Sequence, residues 1–212
     1  MHSSAWAIGI KTLRASEQDH ADVKQHREEW NARRQALDFT RLVFLDESGA
    51  KTNMTRLRGR SLGGQRLHDD APHGHWCATT IIGAVRLDGT TACMSVDGAT
   101  DKDVFREYVR CFLLPTLRAG DTVILDNFSA HKDQQTRNLI EQAGAELRFL
   151  PPSSPDLNPI EKMWSKVKTL LRAAKARTEE ELVQAIGQAL KTVTPLDVEG
   201  WFRSCGYTVS QP

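Results

Sequence analysis

The chain has 212 residues, of which 40% are hydrophobic and 26% charged, with 14 Gly and 8 Pro. This composition is typical of one globular domain with an added arm, and it excludes disordered, collagen-like and disulfide-scaffold proteins. Lys and Arg total 28 against 27 for Asp and Glu, so the net charge of +1 argues, taken alone, against a strongly basic nucleic-acid-binding protein. The longest early apolar run, residues 5–10, is too short for a membrane span, so we expect no transmembrane segment and no secretory signal.

Hydrophobic periodicity, turn residues and capping residues predict a run of strands followed by helices. In chain order, the pattern predicts a helix over about 17–37 capped by Ser16, a strand over 42–45, a hairpin over 76–96, a helix over 100–114 capped by Thr100, a strand over 121–125, a helix over 134–142, a strand over 146–150, a helix over 159–176, and two final helices capped by Thr178 and Thr194. We therefore expect an α/β fold in which a mixed sheet is flanked by helices.

Three carboxylates stand where secondary structure alone does not require them. Asp46 and Asp126 follow apolar strands directly, and Glu161 lies in the first turn of the long helix. Brought together, they would form a cluster of like charge suited to oxygen-preferring cations such as Mg²⁺ or Mn²⁺. The alternatives are that the two aspartates are turn residues and that Glu161 is a capping partner of Asn158.

The contexts of these residues resemble a known family. Asp46 in "LVFLDESGAKTNMTRLRG", Asp126 in "GDTVILDNFSAHK" and Glu161 in "LPPSSPDLNPIEKMWSKVK" resemble the three catalytic motifs of DDE transposases, and above all the bacterial insertion-sequence branch of the mariner-like superfamily. The resemblance spans about residues 11–176, and 34 residues separate Asp126 from Glu161.

The resemblance implies an RNase H-like core with a five-stranded mixed sheet over 41–176, preceded by a helical arm or linker over 1–40 and followed by C-terminal helices over 177–212, packed on or beside the core. It implies two Mg²⁺ or Mn²⁺ ions, with Asp46 shared between them and Asp126 and Glu161 each holding one side. The implied reaction is DNA strand cleavage followed by strand transfer, both in-line displacements at phosphorus. Asn127 and His131 would then support Asp126 or approach the DNA, although His131 could equally begin a helix.

The basic residues fall into two zones, so the near-neutral total is misleading. One zone follows Asp46 and the other lies on the helix of Glu161, where several basic side chains share the face of the carboxylate. The candidate DNA-binding residues are Lys51, Arg56, Arg58, Arg60, Lys162, Lys168, Arg172 and Lys175. The alternative is a solvated helix face. His73, His75 and Cys77 alternate as residues on one face of a strand do, which resembles a zinc site, but no fourth ligand lies nearby in the sequence.

Full-length relatives carry a helix-turn-helix region before the core, and only about 40 residues precede Asp46 here. We therefore expect the catalytic part of a split or truncated transposase that acts in the bacterial cytoplasm at the nucleoid. Its expected partners are transposon ends and target DNA, a second copy in a dimer, and a separately encoded helix-turn-helix chain, with no membrane. The first ten residues match nothing expected of the family. Two alternatives stay open: a catalytically silent DNA-binding fragment, and another RNase H-like nuclease.

Overall fold

The computed structural model describes residues 16–59, 61, 65–66, 68–126 and 133–208, and within them five strands form a mixed sheet. The strands are β1 (Leu42–Lys51), β2 (Ala78–Arg86), β3 (Thr91–Asp97), β4 (Thr122–Leu125) and β5 (Glu146–Phe149). Their order across the sheet is β3-β2-β1-β4-β5, with the first two pairings antiparallel and the last two parallel.

Helices cover both faces of this sheet, so the predicted architecture of a mixed sheet flanked by helices is confirmed. The α-helices are α1 (Ala21–Arg34), α2 (Lys102–Tyr108), α3 (Gln134–Gln142), α4 (Pro159–Ala174), α5 (Glu179–Lys191) and α6 (Pro195–Ser204). Side chains of α1, α4, α5 and α6 share one apolar core with the sheet, whereas α2 and α3 pack on the opposite face. Among the described residues, no helix has the length and apolar character needed to cross a bilayer.

Strand β1 lies at the centre of the sheet, and its side chains alternate between the two cores. Phe44 faces α4, while Val43 and Leu45 face α2 and α3, because successive residues of a strand point to opposite sides. The strand is longer than expected, since β2 continues to pair with it as far as Lys51. The predicted strand over 42–45 therefore ends too early.

Two helix starts also differ from expectation. A 3₁₀ turn occupies Ser16–Asp19, so α1 begins only at Ala21. The cap of α2 is Asp101, whose carboxylate accepts the backbone N–H groups of the second and third residues after it, and Thr100 takes no part in that cap. Aspartate and threonine are both good capping residues, and adjacent candidates cannot be ranked by residue type alone.

The arm and the C-terminus meet on the α4 side of the sheet. Trp30 of α1 is buried, and its indole N–H donates to the hydroxyl of Tyr207 at 3.3 Å. The same hydroxyl donates to the carbonyl of Leu157 at 2.8 Å, just before α4. Arg34 donates to the carbonyl of Cys205 at 2.9 Å. These contacts connect both ends of the described chain to the segment that leads into α4.

Candidate active site

Asp46 and Asp126 occupy equivalent positions on neighbouring parallel strands. Phe44 of β1 pairs with Ile124 of β4, and each aspartate lies two residues further along the chain, Asp46 within β1 and Asp126 directly after β4. Because side chains alternate, both aspartates lie on the sheet face of Phe44 and Ile124, which is the face that α4 covers. This explains how two acids that are 80 positions apart in the chain come to line one cavity.

Glu161 reaches the same region from the first turn of α4. The helix begins at Pro159, a position where the missing N–H of proline is not needed, and it buries Ile160, Met163 and Trp164 against the sheet. Asn158 precedes the helix but makes no capping bond with its side chain, so the alternative that Glu161 serves as its capping partner is wrong. The helix start thus leaves the Glu161 carboxylate available to the cavity.

The three carboxylates line one pocket of about 290 Å³, called here the carboxylate pocket. Asp46 and Asp126 contribute from the strands and Glu161 from α4, while the segment 150–155 forms the opposite wall. Asn158 also lines the pocket, and its side-chain oxygen is buried without a hydrogen-bond partner in the described part of the chain. The sequence motifs therefore identify residues that the fold brings to one site.

Burial and charge distinguish the three acids. The side chain of Asp46 is buried, with 8% exposure, whereas Asp126 is half-buried and Glu161 lies at the exposed rim. Partial burial of its carboxylate raises the pKa of Glu161, while Lys168 on the same helix opposes the shift and the charge of Asp126 adds to it. The pocket therefore gathers like charges, a condition that a bound cation relieves.

The donor set fits Mg²⁺ or Mn²⁺ by its chemistry, because both prefer oxygen ligands and the pocket offers three carboxylates and an unpartnered amide oxygen. The side chains are not drawn together at ligand distance. Across the residues that the structure describes, no group of three His, Cys, Asp or Glu side chains is close enough to hold an ion. Ligation by all three acids therefore requires their side chains to turn further into the pocket.

Two residues of the arm hold the pocket wall, and sequence reasoning missed both. The guanidinium of Arg27 forms a two-pronged ion pair with Asp156, at 2.9 and 2.7 Å, and also donates to the hydroxyl of Ser154 at 2.7 Å. Gln18 donates to the carbonyl of Ser153, a residue with the unfavourable positive φ of 52°. The hydrogen bond from Arg27 holds the pKa of Asp156 below its usual value.

The candidate DNA-binding residues are mostly exposed, but they are not equivalent. Lys51, Arg56 and Arg58 are exposed on and after β1, and Lys162 lies beside Glu161 on α4. Lys168 and Arg172 are half-buried further along α4. Lys175 ends that helix in a left-handed conformation and forms an ion pair with Asp69. Arg60, Asn127 and His131 lie outside the described residues.

Comparison with protein families gives one match over most of the chain. The family model described as DDE superfamily endonuclease matches residues 41–183, a span that contains all three acids of the carboxylate pocket. No curated protein matches the chain.

Solved structures with a similar fold include several of Mos1 transposase. A Mos1 transposase paired-end complex with left transposon end matches with a TM-score of 0.70 at 14% identity, covering 95% of this chain and 64% of that chain. A mariner Mos1 paired end complex with Mg also gives a TM-score of 0.70 at 14% identity, with 96% and 63% coverage. The Mos1 catalytic domain with Raltegravir and Mg gives 0.60 at 13% identity, with 91% and 90% coverage. The predicted RNase H-like fold is thus confirmed. The chain spans slightly less than two thirds of the length of the first two Mos1 chains.

Proposed function

Since the chain belongs to the DDE superfamily of endonucleases, we propose that it is the catalytic domain of a DNA transposase from the bacterial insertion-sequence branch of the mariner-like superfamily. The observation that carries the proposal is the convergence of Asp46, Asp126 and Glu161 on one pocket from three different elements. The reaction is cleavage of a DNA strand at the transposon end, followed by transfer of the freed 3′ end to target DNA.

The carboxylate pocket is the proposed binding place of two Mg²⁺ or Mn²⁺ ions. Asp46, Asp126 and Glu161, which line this pocket, would hold the ions. Such ions supply an activated nucleophilic oxygen and neutralise charge at the reacting phosphorus. The protein's own part is to hold the acids on a rigid sheet and a buried helix, because a misplacement of about 1 Å at a reacting centre costs up to roughly 100-fold in rate.

The surroundings of the pocket favour a nucleic-acid substrate. Lys162 and Lys168 lie on the helix that carries Glu161, and Lys51, Arg56 and Arg58 extend the positive surface beyond β1. Basic side chains next to a metal-dependent pocket bind the phosphate backbone without reading its sequence. Asn127, His131, Arg60 and Arg172 are proposed as further contacts on the basis of the motifs alone.

The proposed partners follow from the reaction. They are transposon ends, target DNA, a second copy in a dimeric complex and a separately encoded helix-turn-helix chain that would recognise the ends. The proposed place of action is the bacterial nucleoid. The Mos1 complexes with transposon DNA support the assignment of DNA as partner.

A cleavage assay with matched variants tests the proposal. DNA duplexes carrying the element's terminal sequences are incubated with the full chain in Mg²⁺, in Mn²⁺ or in EDTA, with and without the helix-turn-helix product. We expect metal-dependent nicking and strand transfer, reduced at least about 100-fold by Glu161→Gln because a charged group at the reacting centre is lost. Glu179→Gln is the control, since Glu179 is an exposed glutamate in the first turn of α5.

Two results would contradict the proposal. Cleavage by Glu161→Gln at the wild-type rate would show that Glu161 has no role in the reaction. DNA binding without cleavage in any metal, whether or not the helix-turn-helix product is present, would favour the silent DNA-binding fragment instead.

A further inference from the structure

A second cavity, called here the Trp201 groove, opens directly beside the carboxylate pocket. It has a volume of about 520 Å³ and runs between α4 and α6. Pro155 and Glu161 line both cavities, so the two adjoin at the rim of the proposed active site. A molecule that reacts in the pocket can therefore extend into the groove without leaving the protein surface.

One lysine in the groove is free to meet an anion. Lys162 is exposed and forms no ion pair or hydrogen bond with the described residues. Lys166, one turn further along α4, is already occupied, because its ammonium group donates to Asp197 and to the carbonyl of Thr192, each at 2.7 Å. Lys162 directly follows Glu161, so it belongs to the first turn of α4, the same turn that contributes Glu161 to both cavities.

The far side of the groove carries an aromatic ring. Trp201 of α6 lines the cavity and is half-buried, with part of its surface packed against the core. A ring anchored in this way loses little conformational freedom when a planar group stacks on it. Unpaired nucleic-acid bases commonly stack on aromatic side chains in positively charged grooves, and each stacked base contributes about 1–3 kcal/mol to the binding free energy.

We propose that the Trp201 groove binds one unpaired nucleotide of the DNA strand that leaves the carboxylate pocket. Lys162 binds its phosphate, and its base stacks on Trp201. A recess between two helices takes a single strand more readily than a duplex, and its volume is within the range of ordinary ligand pockets. This inference rests on the proposed function, because the reacting phosphate in the neighbouring pocket is what directs the strand into the groove.

Fluorescence of 2-aminopurine tests the inference. The probe is a DNA duplex with a short unpaired overhang in which 2-aminopurine replaces successive bases, bound to the full chain carrying Asp126→Asn so that it is not cut. We expect quenching at one overhang position, lost in Trp201→Leu and largely kept in Trp201→Phe. Loss of one stacked base should weaken binding about 5- to 150-fold. Lys162→Gln should lower the slope of log affinity against log salt by about 1.

Trp76→Leu is the matched control, because Trp76 is an exposed tryptophan on the segment before β2 and lines no part of the groove. It should leave both quenching and affinity unchanged. Equal quenching by the wild-type ring and by Trp201→Leu, in chains shown to be folded by thermal unfolding, would overturn the inference. If metal-dependent cleavage by the wild-type chain were normal while Trp201→Leu quenched equally, only the role of the groove would be rejected and the proposed function would stand. Conversely, quenching that depends on Trp201, with no cleavage by the wild-type chain in any metal, would support base binding in the groove and reject the proposed function.

Discussion

The close packing of α4 on the sheet depends on the absence of a side chain at Gly83. Gly83 of β2 lies opposite Asp46 of β1 in the antiparallel register. A Cβ atom at Gly83 would lie 2.6 Å from Cη2 of Trp164 and 2.9 Å from the sulfur of Cys93. Trp164 is three residues after Glu161 on α4 and almost fully buried. Gly83 therefore sets the separation between the strand of Asp46 and the helix of Glu161.

The size of the effect follows from these distances. Ordinary contact of a Cβ atom begins at 3.4 Å, so Gly83→Ala requires the Trp164 ring to retreat by roughly 0.8 Å. Overpacking of this kind destabilises a core by about 1–3 kcal/mol. A comparable displacement of Glu161 relative to Asp46 should slow cleavage by up to about 100-fold.

The assay combines chemical unfolding with single-turnover DNA cleavage. Gly49→Ala in β1 is the control, because an added Cβ there would meet no atom within 4 Å. Trp164→Phe in the Gly83→Ala background removes the indole atoms in conflict, although the Cys93 sulfur stays, and should recover part of the lost rate. Wild-type stability together with wild-type cleavage in Gly83→Ala would refute this account of how α4 is positioned.

Three further predictions concern charged groups. Asp121→Asn should lower the free energy of unfolding, measured by urea titration, by about 3–5 kcal/mol. The substitution breaks a fully buried ion pair with Arg86, whose two nitrogen–oxygen contacts are 3.0 and 2.6 Å. A loss below about 1 kcal/mol would contradict this prediction. Burial raises the pKa of Asp121, but hydrogen bonds from Arg86 and a backbone N–H outweigh it, so the pKa is lowered. The stability from this pair should be complete above about pH 4 and lost as pH falls through the lower folded pKa, and Asp121→Asn should abolish that part of the acid dependence. Arg27→Gln should slow cleavage roughly tenfold, because the ion pair of Arg27 with Asp156 holds the pocket wall. It should cost at most about 1 kcal/mol in free energy of unfolding, because that pair is partly exposed. Arg33→Gln, at an exposed position of α1, is the control, and an equal effect of the two substitutions on cleavage would refute the role of Arg27 in holding the wall.

The sequence was sufficient to predict the sheet and to single out the acids that share a pocket. Asp46 and Asp126 each follow an apolar run, and equal offsets along two parallel strands place them on one face. The extent of β1 was not predictable from its own residues. Gly49 and Ala50 are weak strand formers, and they are held in the strand by pairing with Thr80 and Thr79 of β2.

Contacts between distant segments were also beyond single-sequence reasoning. Arg27 and Asp156 are 129 positions apart, and each has several plausible partners of opposite charge nearer in the chain. Helical spacing alone also cannot rank neighbouring leucines of α4: Leu171 is buried, as is Trp164, while Leu170 is only partly buried against the same core. Trp164 packs against β2 in the space that Gly83 leaves by having no side chain, and no pattern within α4 reveals that space.

The most direct test of the central claim is a change in metal preference at one of the three acids. Asp126→Cys replaces a hard oxygen ligand with a softer sulfur, which Mg²⁺ binds poorly and Mn²⁺ tolerates better. In single-turnover cleavage of transposon-end DNA, the variant should lose at least about 100-fold in Mg²⁺ and regain a measurable part of that rate in Mn²⁺. Cleavage by Asp126→Cys at the wild-type rate in Mg²⁺ would contradict the claim that the carboxylate pocket holds the metal ions.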